Sequence, residues 1–289
     1  MIGVVAHPAR RGTRQVVERI RATSSSAATT SAEVVVTYTT PAHPGGEQAT
    51  RLLDAGAQRL IAVGGDGTVA QCAHALTEWI DEHQPAEPPR LTPIPVGTAN
   101  LFWRNLVATF PPGPACVDVA HVTLEPSGLT TTSLVAVGTG NSVRAIQRTP
   151  AQRHWWSYIA TGVNLGTWKG SPWTQEVGNV VGVPHRLRIF DTSLDSGTLC
   201  HTSFAPTGVA DWVVAGAWAL GANVSPAAVR VRVGQSFDLD APHGIHVDGE
   251  VYTKVRWARV RVRPRALPVL ITPAEEGTVP SRPSPRTVQ

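Results

Sequence analysis

Cysteine is scarce: Cys72, Cys116 and Cys200 are the only three in 289 residues. Three scattered thiols build neither a disulfide framework nor a zinc cluster, so a reducing, cytoplasmic setting is expected. Long apolar runs are also missing. The longest, about 208–224, contains Asp211 and several glycines and falls short of the ~20 clean residues of a membrane span. The chain enters an apolar strand at Ile2 and meets charge at Arg10 and Arg11, so no signal peptide is expected. No lysine-rich face and no recognition motif argue for nucleic acid. The net charge of +4 instead suits a nucleotide or an acidic membrane surface. The expectation is a soluble protein whose membrane contact is peripheral.

What is present is rhythm. Strand patterns at Ile2–Ala6, Val34–Tyr38, Leu60–Val63 and Leu91–Pro95 alternate with helical patterns at Gln15–Arg21, Gly46–Ala57, Val69–Ile80 and Asn100–Ala108. That alternation predicts a parallel sheet covered by helices. Phe110–Pro114, with three prolines and a glycine, marks a crossing to a second domain. Beyond it come short β-rich runs at 117–123, 131–137, 186–190, 198–204, 229–233, 237–239, 245–247 and 255–263, with one helical insert near 154–167. The predicted class is α/β plus all-β: a Rossmann-like domain over 1–112 and an antiparallel β-sandwich domain over 113–265. The strand 266–271 returns to the first domain, and 272–289, rich in Pro, Ser, Thr and Arg, forms a disordered tail.

Two loops carry the chemistry. Leu60–Val63 runs into Gly64, Gly65, Asp66, Gly67 and Thr68 before Val69 and Ala70 open a helix. Glycines allow a sharp turn and close approach of a ligand, and the helix start offers free N–H groups to a phosphate. An acid inside such a loop would repel bare phosphate, so Asp66 suits a metal ion, a water or a substrate hydroxyl. About thirty residues on, Pro93–Leu106 repeats the pattern through Gly97 and Thr98. Both turns would open at the carboxyl edge of the sheet, where ligands bind in open α/β folds.

With GGDGT at 64–68, PxGTxN at 95–100 followed by Arg104 and Leu106, and His-Val-Asp-Gly-Glu at 246–250, the chain resembles the diacylglycerol kinase catalytic-domain superfamily of lipid kinases. The resemblance implies ATP and Mg²⁺ as cofactors and a lipid alcohol as acceptor. It implies that Glu250 accepts the hydroxyl proton, helped by Asp66. It implies that Arg10, Arg11, Thr40, Thr98 and the loop 64–70 hold the nucleotide. Asp195, Ser196 and Thr198 match a segment that binds a structural Mg²⁺ in bacterial members, with Ser196 at the place of a metal aspartate. Serine is a poor substitute for a carboxylate on a hard cation.

Other acids are neutral here as well: Ala70 and Gln71 follow GGDGT, Leu101 follows GTxN, and Asn141 ends Gly138-Thr-Gly-Asn. A non-catalytic nucleotide- or lipid-binding pseudokinase is therefore the rival reading, and NAD kinase, resting on GGDG alone, ranks below it. Trp155, Trp156, Tyr158, Trp168 and Trp173 cluster with Arg153, His154 and Lys169, as an aromatic core plug or as an interface for anionic lipid. Arg259, Arg261 and Arg263 give one strand a basic face. His243 and His246 read as surface or supporting residues. A homodimer remains open.

Overall fold

Short runs of β-branched and apolar residues followed by helices build the first half. A computed structural model of the chain describes residues 1–26, 32–97, 99–148, 174–180, 190, 192–220 and 222–273. Strands β1 (Ile2–Ala6), β2 (Val34–Tyr38), β3 (Arg59–Gly64) and β4 (Arg90–Pro95) alternate with helices α1 (Thr13–Ser26), α2 (Gly46–Asp54), α3 (Asp66–His83) and α4 (Leu101–Thr109). The strands are parallel in the order β2-β1-β3-β4. Helix α1 buries Val16 and Val17 against Val4, Ala6, Ile61 and Val63. Helices α2 and α3 cover the other face, where Leu52, Leu53, Leu76, Leu60 and Leu91 form the main core. The connections leave β1 and β3 in opposite directions across the sheet. Their carboxyl ends therefore flank a topological switch point, the usual ligand crevice of such sheets.

The sheet does not stop at residue 112. Strand β5 (Gly113–Glu125) runs antiparallel to β14 (Trp257–Ile271) over nearly their whole length. Strand β14 in turn lies parallel to β4 at Val269. Strands β6 (Leu129–Ser133) and β11 (Ser236–Asp240) join at β5 and β14, so eight strands share one sheet. The boundaries expected at 112 and 265 both fall inside or against this β5/β14 ribbon. Its first part packs Val117, Leu267 and Val269 into the α/β core. Its far part packs Ala120, Val122, Leu124, Ala258 and Val260 into a second core. The register shifts between Arg263 and Leu267. There the fully buried Asp118 accepts the amides of Arg265 (2.8 Å) and Gly197 (2.6 Å).

A second, antiparallel sheet has the order β10-β9-β8-β7-β12-β13. Its strands are β7 (Ala136–Gly140), β8 (Thr174–Gly178), β9 (Leu199–Phe204), β10 (Val229–Gly234), β12 (Ile245–Val247) and β13 (Glu250–Tyr252). Val137, Val177, Ile245 and Val247 on one face meet Val122, Leu239 and Val260 of the first sheet, which makes the sandwich. The fold is α/β plus all-β. Two helices, α5 (Asn141–Arg148) and α6 (Val209–Ala219), were not foreseen. The first is a brief excursion between strands, and the second lacks the polar face that gives a helix its period. The helical insert 154–167, most of the run 186–190, and residues 274–289 of the expected tail lie outside the described residues.

Candidate active site

Strand β3 ends at Gly64, and Gly65, extended, is the N-cap of α3. The helix thus begins at Asp66, three residues before the expected Val69. Gly67 and Thr68 belong to its first turn, whose N–H groups have no intrahelical acceptor. Thr68, Val69 and Ala70 are buried. Thr68 packs directly under the turn: a Cβ on Gly64 would lie 2.5 Å from the Thr68 Cβ.

The second loop leans on the first. The Val96 amide donates to the Gly64 carbonyl at 3.0 Å. A Cβ on Gly97 would lie 2.6 Å from the Gly65 Cα, so only glycine fits. Asn100, left-handed at φ 49, closes this loop on itself. Its Oδ1 accepts the Gly97 amide at 3.1 Å, and its Nδ2 donates to the Gly97 carbonyl at 2.8 Å. Thr98 lies outside the described residues.

Asp66 ties the two loops together. Its carboxylate accepts the amides of Leu101 and Phe102, each at 3.0 Å, and so caps α4 from a different element. Burial pushes this carboxyl above the ordinary range, the two amides pull it back, and the negative field of Asp248 raises it again.

Asp248, itself left-handed at φ 50, is held by four donors: Ser133 Oγ (2.7 Å) and the amides of Leu134 (2.8 Å), Val135 (2.9 Å) and Ala136 (2.9 Å). Burial pushes its carboxyl up, opposed by these bonds. Its role is to sew the turn to the β6–β7 connection. Glu250 on β13 is exposed. The Tyr252 phenol hydrogen-bonds to it and is pushed up to about 12, first by burial and then by the Glu250 charge. Of the two acids in the turn, one is consumed by the fold and the other is open to a substrate.

Arg10 and Arg11 lie exposed in the turn after β1, fixed by Thr13 Oγ1 on the His7 carbonyl (2.9 Å) and by the His7 amide on the Val63 carbonyl (2.9 Å). Thr40 is exposed and accepts the His43 amide at 3.1 Å, whereas Thr39 is buried, which settles which of the two faces outward. These turns share the carboxyl edge of the parallel sheet with the glycine loops.

The candidate structural metal site does not fit a hard cation. Ser196 Oγ meets Thr192 Oγ1 (2.7 Å) and Thr198 Oγ1 (2.9 Å), and Asp195 accepts Ser193 Oγ at 2.6 Å. This turn is stitched by hydroxyls, and no group of three or more His, Cys, Asp or Glu suited to a metal occurs among the described residues. At Asp195, Ser196 and Thr198 one exposed carboxylate and two mutually bonded hydroxyls are a weak donor set for Mg²⁺.

His246 is not on the surface. It is 7% exposed, and its Nε2 meets Glu176 Oε2 at 3.0 Å. The pair crosses Gly138, where a Cβ would lie 2.1 Å from Glu176 Oε2. Burial lowers the His246 pKa, but the attraction and hydrogen bond of Glu176 outweigh it and the net shift is upward. Cross-strand pairs of this kind are invisible to local sequence patterns, as is the buried Asp118. His243 is exposed and meets Arg144 Nη2 at 3.0 Å. Arg259 pairs with Asp238 (2.8 Å) and Arg263 with Asp81 (2.6 Å), so much of the basic strand face is neutralised. The Trp-rich segment, with Arg153, His154 and Lys169, lies outside the described residues.

A doubly wound sheet with glycine loops at its switch-point edge, continued by a β-sandwich that carries an acidic turn, defines an α/β plus all-β protein. Residues 2–132 match the family model of the diacylglycerol kinase catalytic domain. Solved structures of a diacylglycerol kinase from Bacillus anthracis str. Sterne superpose with TM-scores of 0.66 and 0.62, at 16% identity, over 94% of this chain and 97% of theirs. They share its fold. No curated protein matches the sequence.

Proposed function

We propose that the protein is an ATP-dependent kinase acting on the hydroxyl of a lipid alcohol, with diacylglycerol as the first acceptor to test, at an anionic membrane surface in the cytoplasm. The observation that carries this reading is the joining of the two glycine loops at the carboxyl edge of the parallel sheet. Asp66 binds the GGDG turn to the start of α4, and the Asp248 field reaches Asp66 from the turn that bears Glu250.

ATP carried with Mg²⁺ supplies the transferable γ-phosphoryl group, and such transfer depends mainly on positioning and charge stabilisation. The main-chain amides of Gly67 and Thr68 receive phosphate oxygens, and Arg10 and Arg11 add positive charge beside them. Thr40 lines the same edge. Glu250, exposed on β13, would take the acceptor hydroxyl proton on a carboxylate oxygen as the hydroxyl oxygen bonds to the γ-phosphorus and the bond from that phosphorus to the bridging oxygen breaks, releasing ADP. Asp66, with both oxygens engaged by amides, serves first as the brace that aligns the loops.

A non-catalytic nucleotide binder is the second reading, favoured by the hydroxyl-stitched turn at Asp195, Ser196 and Thr198, which has a single carboxylate. Transfer of label from γ-labelled ATP to a panel of lipid alcohols separates the two. Label in a lipid product supports the kinase; nucleotide binding without transfer to any acceptor supports the binder.

A further inference from the structure

Helix α6 buries none of its residues fully, which is unusual for so apolar a segment. Helices of globular proteins normally turn an apolar stripe to the core and a polar face to water. Here the order is reversed. Val209, Val213, Gly216 and Leu220 follow one another at intervals of four, three and four residues and form one exposed stripe. Val209 is 70% exposed, Val213 66% and Leu220 65%. No helix among the described residues is long and apolar enough to cross a membrane.

The neighbouring strand extends the patch. Val229 of β10 pairs with Phe204 of β9, and the Phe204 ring holds Trp212 edge to face at 4.7 Å. Alternation along a strand puts Val231 and Val233 on that same face, and both are exposed, at 41% and 56%. Charge is arranged around the patch rather than within it. From Val209 to Ala228 the sole ionisable residue is Asp211. Its carboxylate is held by the Thr207 amide (2.6 Å) and hydroxyl (2.8 Å) at the helix start. Arg230 and Arg232 alternate with the valines, so they stand on the other face of β10, but β10 is an edge strand and both are exposed. Neither is in an ion pair among the described residues.

We infer that α6 and β10 form a docking surface for an anionic lipid bilayer. The valines and Leu220 enter the headgroup–acyl boundary, while Arg230 and Arg232, at the sheet edge, meet lipid phosphates. An interfacial helix needs an apolar face with basic neighbours, and arginine stems are long enough to reach headgroups beside buried valines. The inference rests on the lipid-kinase reading for its purpose, since the acceptor must be drawn from a bilayer, but its test does not depend on catalysis.

The test is co-sedimentation of the full chain with phosphatidylcholine vesicles, with and without phosphatidylglycerol, over a range of salt. Wild type sediments with the anionic vesicles and is released by salt. The Val209→Asp/Val213→Asp/Leu220→Asp variant, checked for an unchanged circular dichroism spectrum, loses about 10-fold or more of this partitioning. The Arg230→Ser/Arg232→Ser variant loses about 10-fold on anionic vesicles and becomes less sensitive to salt. Partitioning of the aspartate variant equal to wild type overturns the inference. So does a wild type that ignores vesicles but self-associates through this face, giving a dimer that the aspartate variant lacks. Phosphoryl transfer to a short-chain acceptor dispersed without vesicles stays at the wild-type level in both variants. If wild type transfers to no acceptor, the kinase reading fails while the sedimentation result stands.

Discussion

Removing the Asp66 carboxylate should uncouple the two glycine loops, and the size of the effect follows from its bonds. Both oxygens accept α4 amides at 3.0 Å, and Phe102, behind one of them, is fully buried. Asp66→Ala leaves two amides without their acceptor. A buried donor left unpaired costs roughly 1–3 kcal/mol, and a hydrogen bond to a charged group contributes about 1.5–3. Loss of an acidic cap costs about 0.5–2 kcal/mol by itself. Relief of burial and of the repulsion from Asp248 offsets part of this. A net loss of about 2–4 kcal/mol is expected. Asp66→Asn keeps one acceptor oxygen but turns an N–H₂ toward the other amide, so it recovers less than half. Urea unfolding followed by tryptophan fluorescence reads the change, because Trp103 is buried within α4. A loss under about 0.5 kcal/mol for Asp66→Ala would refute the brace and leave Asp66 free for a purely chemical role.

Further expectations follow from named contacts. Gly97→Ala drives a methyl to within 2.6 Å of the Gly65 backbone, so the loops must part. Equilibrium binding of an ATP analogue should fall at least about 10-fold in a folded variant, and unchanged affinity would remove this contact from the nucleotide site. The His246–Glu176 pair predicts a pH dependence of stability. A histidine with a raised folded pKa contributes stability fully present below its unfolded value of 6.5 and lost as pH rises through the higher folded value. The unfolding midpoint should therefore decline as pH rises above about 6.5, and His246→Gln should remove that part of the slope; an identical slope in the variant would contradict it. Glu176 and Asp248 are the charged groups acting on this ring.

Much of the first half is legible because local patterns decide it. The β1 to β4 strands and their helices alternate in apolar period, and the glycine turns announce themselves. The start of α3 was misplaced because Gly67 and Thr68 look like loop residues. With Gly65 extended as the cap, they are helical. The β5/β14 ribbon escaped notice because its pairing joins residues more than a hundred positions apart, and Pro264 breaks β14 into two sequence patterns. Asp248 and Glu250 look equivalent in the sequence. Only the long-range donors at 133–136 reveal that one braces the turn while the other is exposed. Asn100 belongs to a recognisable motif, yet its task, closing the loop on Gly97, depends on a left-handed backbone that no residue pattern declares. Helix α6 was read as an apolar run because its exposed face carries valine and leucine where water-facing helices carry charge.

The central claim is that Glu250 removes the acceptor proton. Its most direct test is single-turnover transfer from γ-labelled ATP to a lipid alcohol, with wild type and Glu250→Gln compared at matched nucleotide occupancy. Glutamine keeps shape and hydrogen-bonding reach but cannot take a proton, so the account predicts unchanged ATP affinity and a transfer rate lower by roughly 10²-fold or more. A Glu250→Gln rate close to wild type would contradict it.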